Sequence, residues 1–147
     1  LPFSGPAGEV LDGLLGKVGL PRESVYLTNA VKHFKFEWRG KIRLHKKPTG
    51  RESEACRPWL EAEISRVRPK LILALGATAG TALFGRLPSV GKERGEIQHS
   101  EKWRSAIMLT WHPAAILRSN SPEEHQRRSE ELATDLAKAK SFIENSP

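Results

Sequence analysis

"LILALGATAGTALFG", residues 71–85, sets five apolar residues in unbroken succession before a glycine. Such a run, with no polar alternation, is the pattern of a strand buried on both faces. The segment that follows is rich in alanine and bounded by Gly76 and Gly85, which predicts a short helix packed closely on that strand. The order returns in "AIMLTWHPAAILR", residues 106–118, where a buried strand over Ala106–Trp111 runs into His112-Pro113 and the start of another helix. Strand, helix, strand, helix implies βαβ units and a largely parallel sheet covered on both faces, an α/β fold.

Working outward, Val10, Leu11, Leu14, Leu15 and Val18 recur at helical spacing, and Gly19 to Pro21 stop that helix. "SVYLTNAV", Ser24 to Val31, predicts another strand. Cys56, Leu60, Ile64 and Val67 mark a helix that ends before Pro69, and a charged helix from about Glu123 to Ile143 closes the chain. From Lys32 to Gly50 apolar periodicity gives way to charge, which predicts a long and functional loop. A single domain over residues 1–147 accommodates all of these elements.

The chain carries 24 Lys+Arg against 17 Asp+Glu, with a pI near 9.9. That balance favours a polyanionic partner, nucleic acid before membrane. No apolar run approaches the length of a membrane span. The one cysteine, Cys56, excludes an internal disulfide and fits a reducing, cytoplasmic setting. The opening "LPFSGPAGEV" has no initiator methionine and reads as a folded motif already begun, so an amino-terminal segment is expected ahead of it.

Sites in open α/β sheets form at the carboxyl ends of strands. That rule selects "TNAVKHF", "GATAG" and "WHPAAILR". "GATAG" lacks the residues of a phosphate-binding loop, so Gly76 and Gly80 are read as packing glycines. Asn29 offers an acceptor beside a donor, which matches N3–H and O4 of uracil and mismatches the cytosine edge. Taken alone, an Asn at a strand end is more often a turn or cap residue. His112 could donate to an oxygen that becomes negative as a base departs, or serve as a loop histidine. In "KIRLHKKP", residues 41–48, His45 stands among Lys41, Arg43, Lys46 and Lys47. A solvated basic loop is the plain reading of those charges.

Taken in order, "PFSGPAG", "LTNAVKHFKF", "RLHKKP", "ACRPWL", "LGATAG", "RG" and "WHPAAILR" resemble the iron–sulfur uracil-DNA glycosylases of family 4 and its relatives. Within them the sequence is most similar to the X-type branch, whose members crosslink themselves to uracil-containing DNA. The basic insertion ending in histidine and the histidine of "KHF" carry that finer likeness. Ile42 and Leu44 depart from the commoner insertion pattern.

The resemblance implies a three-layer αβα fold around a central, mainly parallel four-stranded sheet. It implies flipping of uracil out of the strand and cleavage of its bond to C1′. Phe3 would stack on the base, Asn29 would read its edge, and His112 would stabilise the uracil anion. Lys41, Arg43, Lys46, Lys47 and Arg118 would meet DNA phosphates. His33 and Cys56 would be two of the four ligands of a 4Fe-4S cluster, with two cysteines and a sugar-positioning loop expected upstream. His45 would capture the oxocarbenium-like sugar. Only neutral imidazole has a lone pair to give, and like charges around it favour that form. The implied partner is uracil-containing DNA, single-stranded by preference, acted on by a monomer.

Two other readings stay open. One is a family 4 enzyme that turns over, with His45 a bystander. The other is a noncatalytic module that binds single strands through Phe34, Phe36 and Trp38. Trp59, Trp103 and Met108 are expected to pack or cover the core, and His99 and His125 receive no role. "EEHQRRSEE" in the last helix is expected to be a solvated face.

Overall fold

The structure, a computed structural model, describes residues 5–20, 25–26, 35–39, 42–46 and 60–145, with 35–39 and 42–46 described through backbone pairing. Helix α1 spans Gly5–Val18. Strands β1 (Lys35–Arg39) and β2 (Ile42–Lys46) form an antiparallel pair. Helix α2 covers 60–67, followed by β3 (Leu71–Leu75) and α3 (Gly76–Phe84). Next come α4 (Val90–Glu93), β4 (Gln98–Ser100), β5 (Ser105–Thr110), α5 (Pro113–Leu117) and α6 (Pro122–Glu144).

Strands β3 and β5 pair in parallel, with Leu71 beside Ala106 and Leu75 beside Thr110. Every residue of β5 is buried. The two faces of this pair hold different cores. Ala74, Ile107 and Leu109 pack with Leu60, Ala82, Leu83 and Trp103 on the α2–α3 side. Leu73 and Leu75 meet Leu11, Leu15, Ile116, Leu132 and Leu136 of α1, α5 and α6 on the other. The sheet therefore lies between two helical layers, as the continuous apolar runs imply.

Local chemistry sets the helix ends. Gly85 closes α3 at φ 73°, a conformation open to glycine. Ser121 caps α6 by accepting from the Glu124 N–H at 3.1 Å, and Pro122 takes the first turn, where its missing N–H costs nothing. Gly80 is a packing glycine: a Cβ there would lie 2.7 Å from Pro88 and 3.0 Å from Leu109. Trp103 and Met108 are core residues at 5% and 0% exposure, and the Trp103 indole donates to the Leu83 carbonyl.

Some expectations change. Among the described residues the central sheet has three strands in the order β3-β5-β4, with one parallel and one antiparallel pairing. A four-stranded, mainly parallel sheet is not what these residues form. The short polar β4 carries no apolar signal, which is why it escaped reading, and the strand expected over Ser24–Val31 falls largely outside the described residues. The stretch read as one long loop contains the β1–β2 hairpin instead. "KFEWR" and "IRLHK" do alternate large apolar with charged residues, but lysine and arginine obscure the period of two.

Candidate active site at the carboxyl ends of the parallel strands

Because Leu75 and Thr110 are paired, the residues just beyond them emerge side by side. Beyond Leu75 the chain turns through Gly76 at φ 89° into α3. Beyond Thr110 come Trp111 and His112, the latter capping α5. A Cβ on Gly76 would approach the His112 Cβ to 2.9 Å. The first glycine of "GATAG" is thus more than a packing residue: its missing side chain makes room for the histidine.

His112 is half-buried, and its Nδ1 accepts the Ala114 N–H at 2.9 Å. A backbone amide can only donate, so Nδ1 carries no proton. Burial, and secondarily the charge of Arg118, push the imidazole below histidine's ordinary value. The ring is therefore neutral near pH 7, with its proton on Nε2. A donor fixed in this way suits an oxygen that gains charge as a bond breaks.

Behind this corner a polar network joins β5 to α6. Asp135, only 2% exposed, accepts from the Thr110 hydroxyl at 2.5 Å and from Arg94 Nη1 at 2.8 and 2.9 Å. Arg94 also pairs with Glu131 at 3.0 Å, and burial works against its charge while the two carboxylates raise its pKa. Gly95 stands at φ 82°, where a Cβ would lie 2.8 Å from Asp135. The "RG" pair is thus explained by the network it completes. Sequence reading missed Asp135 and Glu131 because charged residues on a terminal helix look solvated. Their spacing beside Leu132 and Leu136 was the available signal.

Of the predicted site residues, the structure brings together His112 and Arg118, at opposite ends of α5. Arg118 is exposed. His45, Arg43 and Lys46 lie on β2, with His45 paired to Phe36 and Arg43 to Trp38. Phe3, Asn29, His33, Lys41, Lys47 and Cys56 lie outside the described residues. Among the described residues no three His, Cys, Asp or Glu side chains form a metal-binding group. With Cys56 the chain's one cysteine, the residues present do not complete the ligand set of an iron–sulfur cluster, and no chemical step is routed through one.

The chain matches the model of the uracil DNA glycosylase superfamily over residues 1–137. It is similar to a type-4 uracil-DNA glycosylase of Thermotoga maritima, 37% identical over 145 residues, covering 97% of this chain and 68% of the relative. It is also similar to a type-4 uracil-DNA glycosylase of Archaeoglobus fulgidus, 30% identical over 122 residues, covering 79% of this chain and 58% of the relative. A third such enzyme, from Saccharolobus solfataricus, is 34% identical over 128 residues, covering 79% of this chain and 54% of the relative. The chain thus spans between about half and two thirds of the length of these relatives. With the match running from its first residue through most of α6, the chain belongs to the uracil-DNA glycosylase superfamily.

Proposed function

We propose that this chain is the catalytic part of an enzyme that excises uracil from DNA. The observation that carries the reading is His112, a neutral Nε2–H donor at the carboxyl ends of two parallel strands. The bond between C1′ and N1 of the base breaks, and its electron pair leaves with uracil. Negative charge gathers on the departing ring's oxygen, where the His112 Nε2–H stabilises it. Phe3 stacks on the extruded base, and Asn29 pairs with its N3–H and O4. Arg118, with Lys41, Arg43, Lys46 and Lys47, neutralises backbone phosphates. His33 and Cys56 are proposed as two cluster ligands. The chain acts as a monomer and prefers single strands. Among the described residues no helix is long and apolar enough to cross a membrane.

The finer reading concerns the sugar. We propose that His45 attacks C1′ through a ring nitrogen, forming a C–N bond as uracil leaves. Loss of the other ring proton then gives a neutral alkylated imidazole, which departs poorly, so protein and DNA remain joined. The alternative is capture by water, with loss of a proton and repeated turnover. A denaturing gel with uracil-containing and uracil-free oligonucleotides separates these outcomes. A band that survives denaturation only with uracil DNA is expected, and His45→Ser should abolish it while uracil is still released. Repeated excision without a band would establish simple hydrolysis. Binding with neither band nor uracil would establish a noncatalytic module.

The Gly76 contact gives an independent check. Gly76→Ala introduces both a strained positive φ and a Cβ against His112. Excision in a single turnover should fall about 10²-fold, the scale of a misplacement near 1 Å. Gly85→Ala carries the same positive-φ strain but meets nothing within 4 Å, so it should keep the parent rate and isolate the contact with His112.

A further inference from the structure

We infer that Arg128, on the helix face that sequence alone assigns to solvent, is a positioning residue for His112. Arg128 Nη1 donates to the Ala115 carbonyl at 2.7 Å. Its guanidinium lies over the Trp111 ring, 4.9 Å from the centroid, and its other end pairs with Glu124 one turn earlier. Glu131, one turn later, accepts the Trp111 indole N–H at 3.0 Å. Helix α6 thus grips residues 111 and 115, the two sides of the turn that contains His112 and Ala114. Within that turn the Ala115 N–H also bonds the His112 carbonyl at 2.9 Å. The bond that fixes the His112 tautomer, Ala114 N–H to Nδ1, sits inside this bracket.

Two features separate this arrangement from an ordinary surface ion pair. The Arg128 and Glu124 side chains are only 20% and 19% exposed. The Arg128 Nε is buried with no hydrogen-bond partner among the described residues. A side chain engaged only with Glu124 could turn that donor to water; Arg128 leaves it unmet while it holds a carbonyl and an aromatic face at once. A planar fork can meet carboxylate, carbonyl and ring together, whereas a lysine ammonium cannot. Releasing the turn would let His112 lose its cap and divide between tautomers, so that part of the population would present no proton from Nε2.

The catalytic consequence rests on the uracil-excision reading, whereas the tautomer of His112 can be observed without it. The test uses Arg128→Lys, which keeps the charge, and Trp111→Phe, which keeps a ring but removes the indole donor. Nitrogen NMR of labelled histidine near neutral pH reports the His112 tautomer, and single-turnover excision over a range of protein concentrations separates the maximal rate from the half-saturating concentration. The parent should show one tautomer, protonated on Nε2. Arg128→Lys should show a mixture, with the maximal single-turnover rate reduced about tenfold and the half-saturating concentration nearly unchanged, and Trp111→Phe should shift the tautomers in the same direction. A folded Arg128→Lys protein with the parent tautomer overturns the inference, whatever its rate. If the parent excises no uracil, the functional reading fails, and the tautomer comparison still decides the role of Arg128.

Discussion

Replacing His112 with alanine is expected to slow uracil release about 10²–10³-fold, equivalent to roughly 2.7–4 kcal/mol of transition-state stabilisation. The size follows from what is lost. A donor held in a half-buried site, neutral and fixed in one tautomer, stabilises developing charge without first having to reorganise. Alanine leaves the oxygen to water, which must reorient. Single-turnover excision with saturating protein measures this step directly, and binding to uracil-free DNA should be little changed. An alanine variant that releases uracil at a rate close to the parent's would place the anion-stabilising group elsewhere.

The same residue sets a pH dependence whose sign can be worked out. Its folded-state value lies below histidine's ordinary value of about 6.5. Above that pH both folded and unfolded chains hold it neutral, and its contribution to stability is fully present. As pH falls, the unfolded chain takes up a proton first, and the contribution is lost as pH passes through the lower folded value. Protonation there sets an Nδ1–H against the Ala114 N–H, so the cap of α5 breaks as the ring charges. Excision should therefore show no inflection near 6.5, and its acid limb should coincide with the His112 titration followed by NMR.

How much of this was legible beforehand varies with the physics of each element. Leu71–Leu75 could be read as it folds because helices pack against both sides of the strand, which leaves no polar positions to confuse the pattern. His112-Pro113 announced a helix start, since proline suits only the first turn. The β1–β2 hairpin was not read because cations dominate both strands, and β4 because three polar residues at a sheet edge carry no apolar alternation. The roles of Gly76, Arg128 and Asp135 depend on contacts between residues 25 to 41 positions apart or between a helix and a neighbouring turn. No local pattern encodes such a contact. "EEHQRRSEE" was legible in its periodicity but not in its purpose. Glutamate and arginine at helical spacing describe a solvated stripe and an inward-facing clamp equally well until the partner surface is known.

The largest expected loss of stability belongs to Asp135. Asp135→Ala should destabilise the fold by about 3–5 kcal/mol, the range for removing one partner of a buried ion pair. Asp135 is 2% exposed and accepts from both Thr110 and Arg94. Its removal strands the Thr110 hydroxyl, which is 0% exposed, and leaves Arg94 with Glu131 alone. It also opens a void against Gly95, whose approach to the carboxylate no side chain would permit. Three losses at one point explain why the effect should exceed that of a single hydrogen bond. Thr110→Val, which deletes only the hydroxyl, isolates one of them and should cost about 1.5–3 kcal/mol, the range for a hydrogen bond to a charged group. Urea unfolding of the three proteins, read at equal slope, measures both differences, and the melting temperature of Asp135→Ala should fall by on the order of 10 °C. Glu131→Gln, which leaves Arg94 its bidentate partner, should cost much less than Asp135→Ala. Equal losses from the two would mean that Arg94 is held by its whole surroundings and not by Asp135, and the join between β5 and α6 would have to be assigned to the apolar contacts of Leu132 and Leu136.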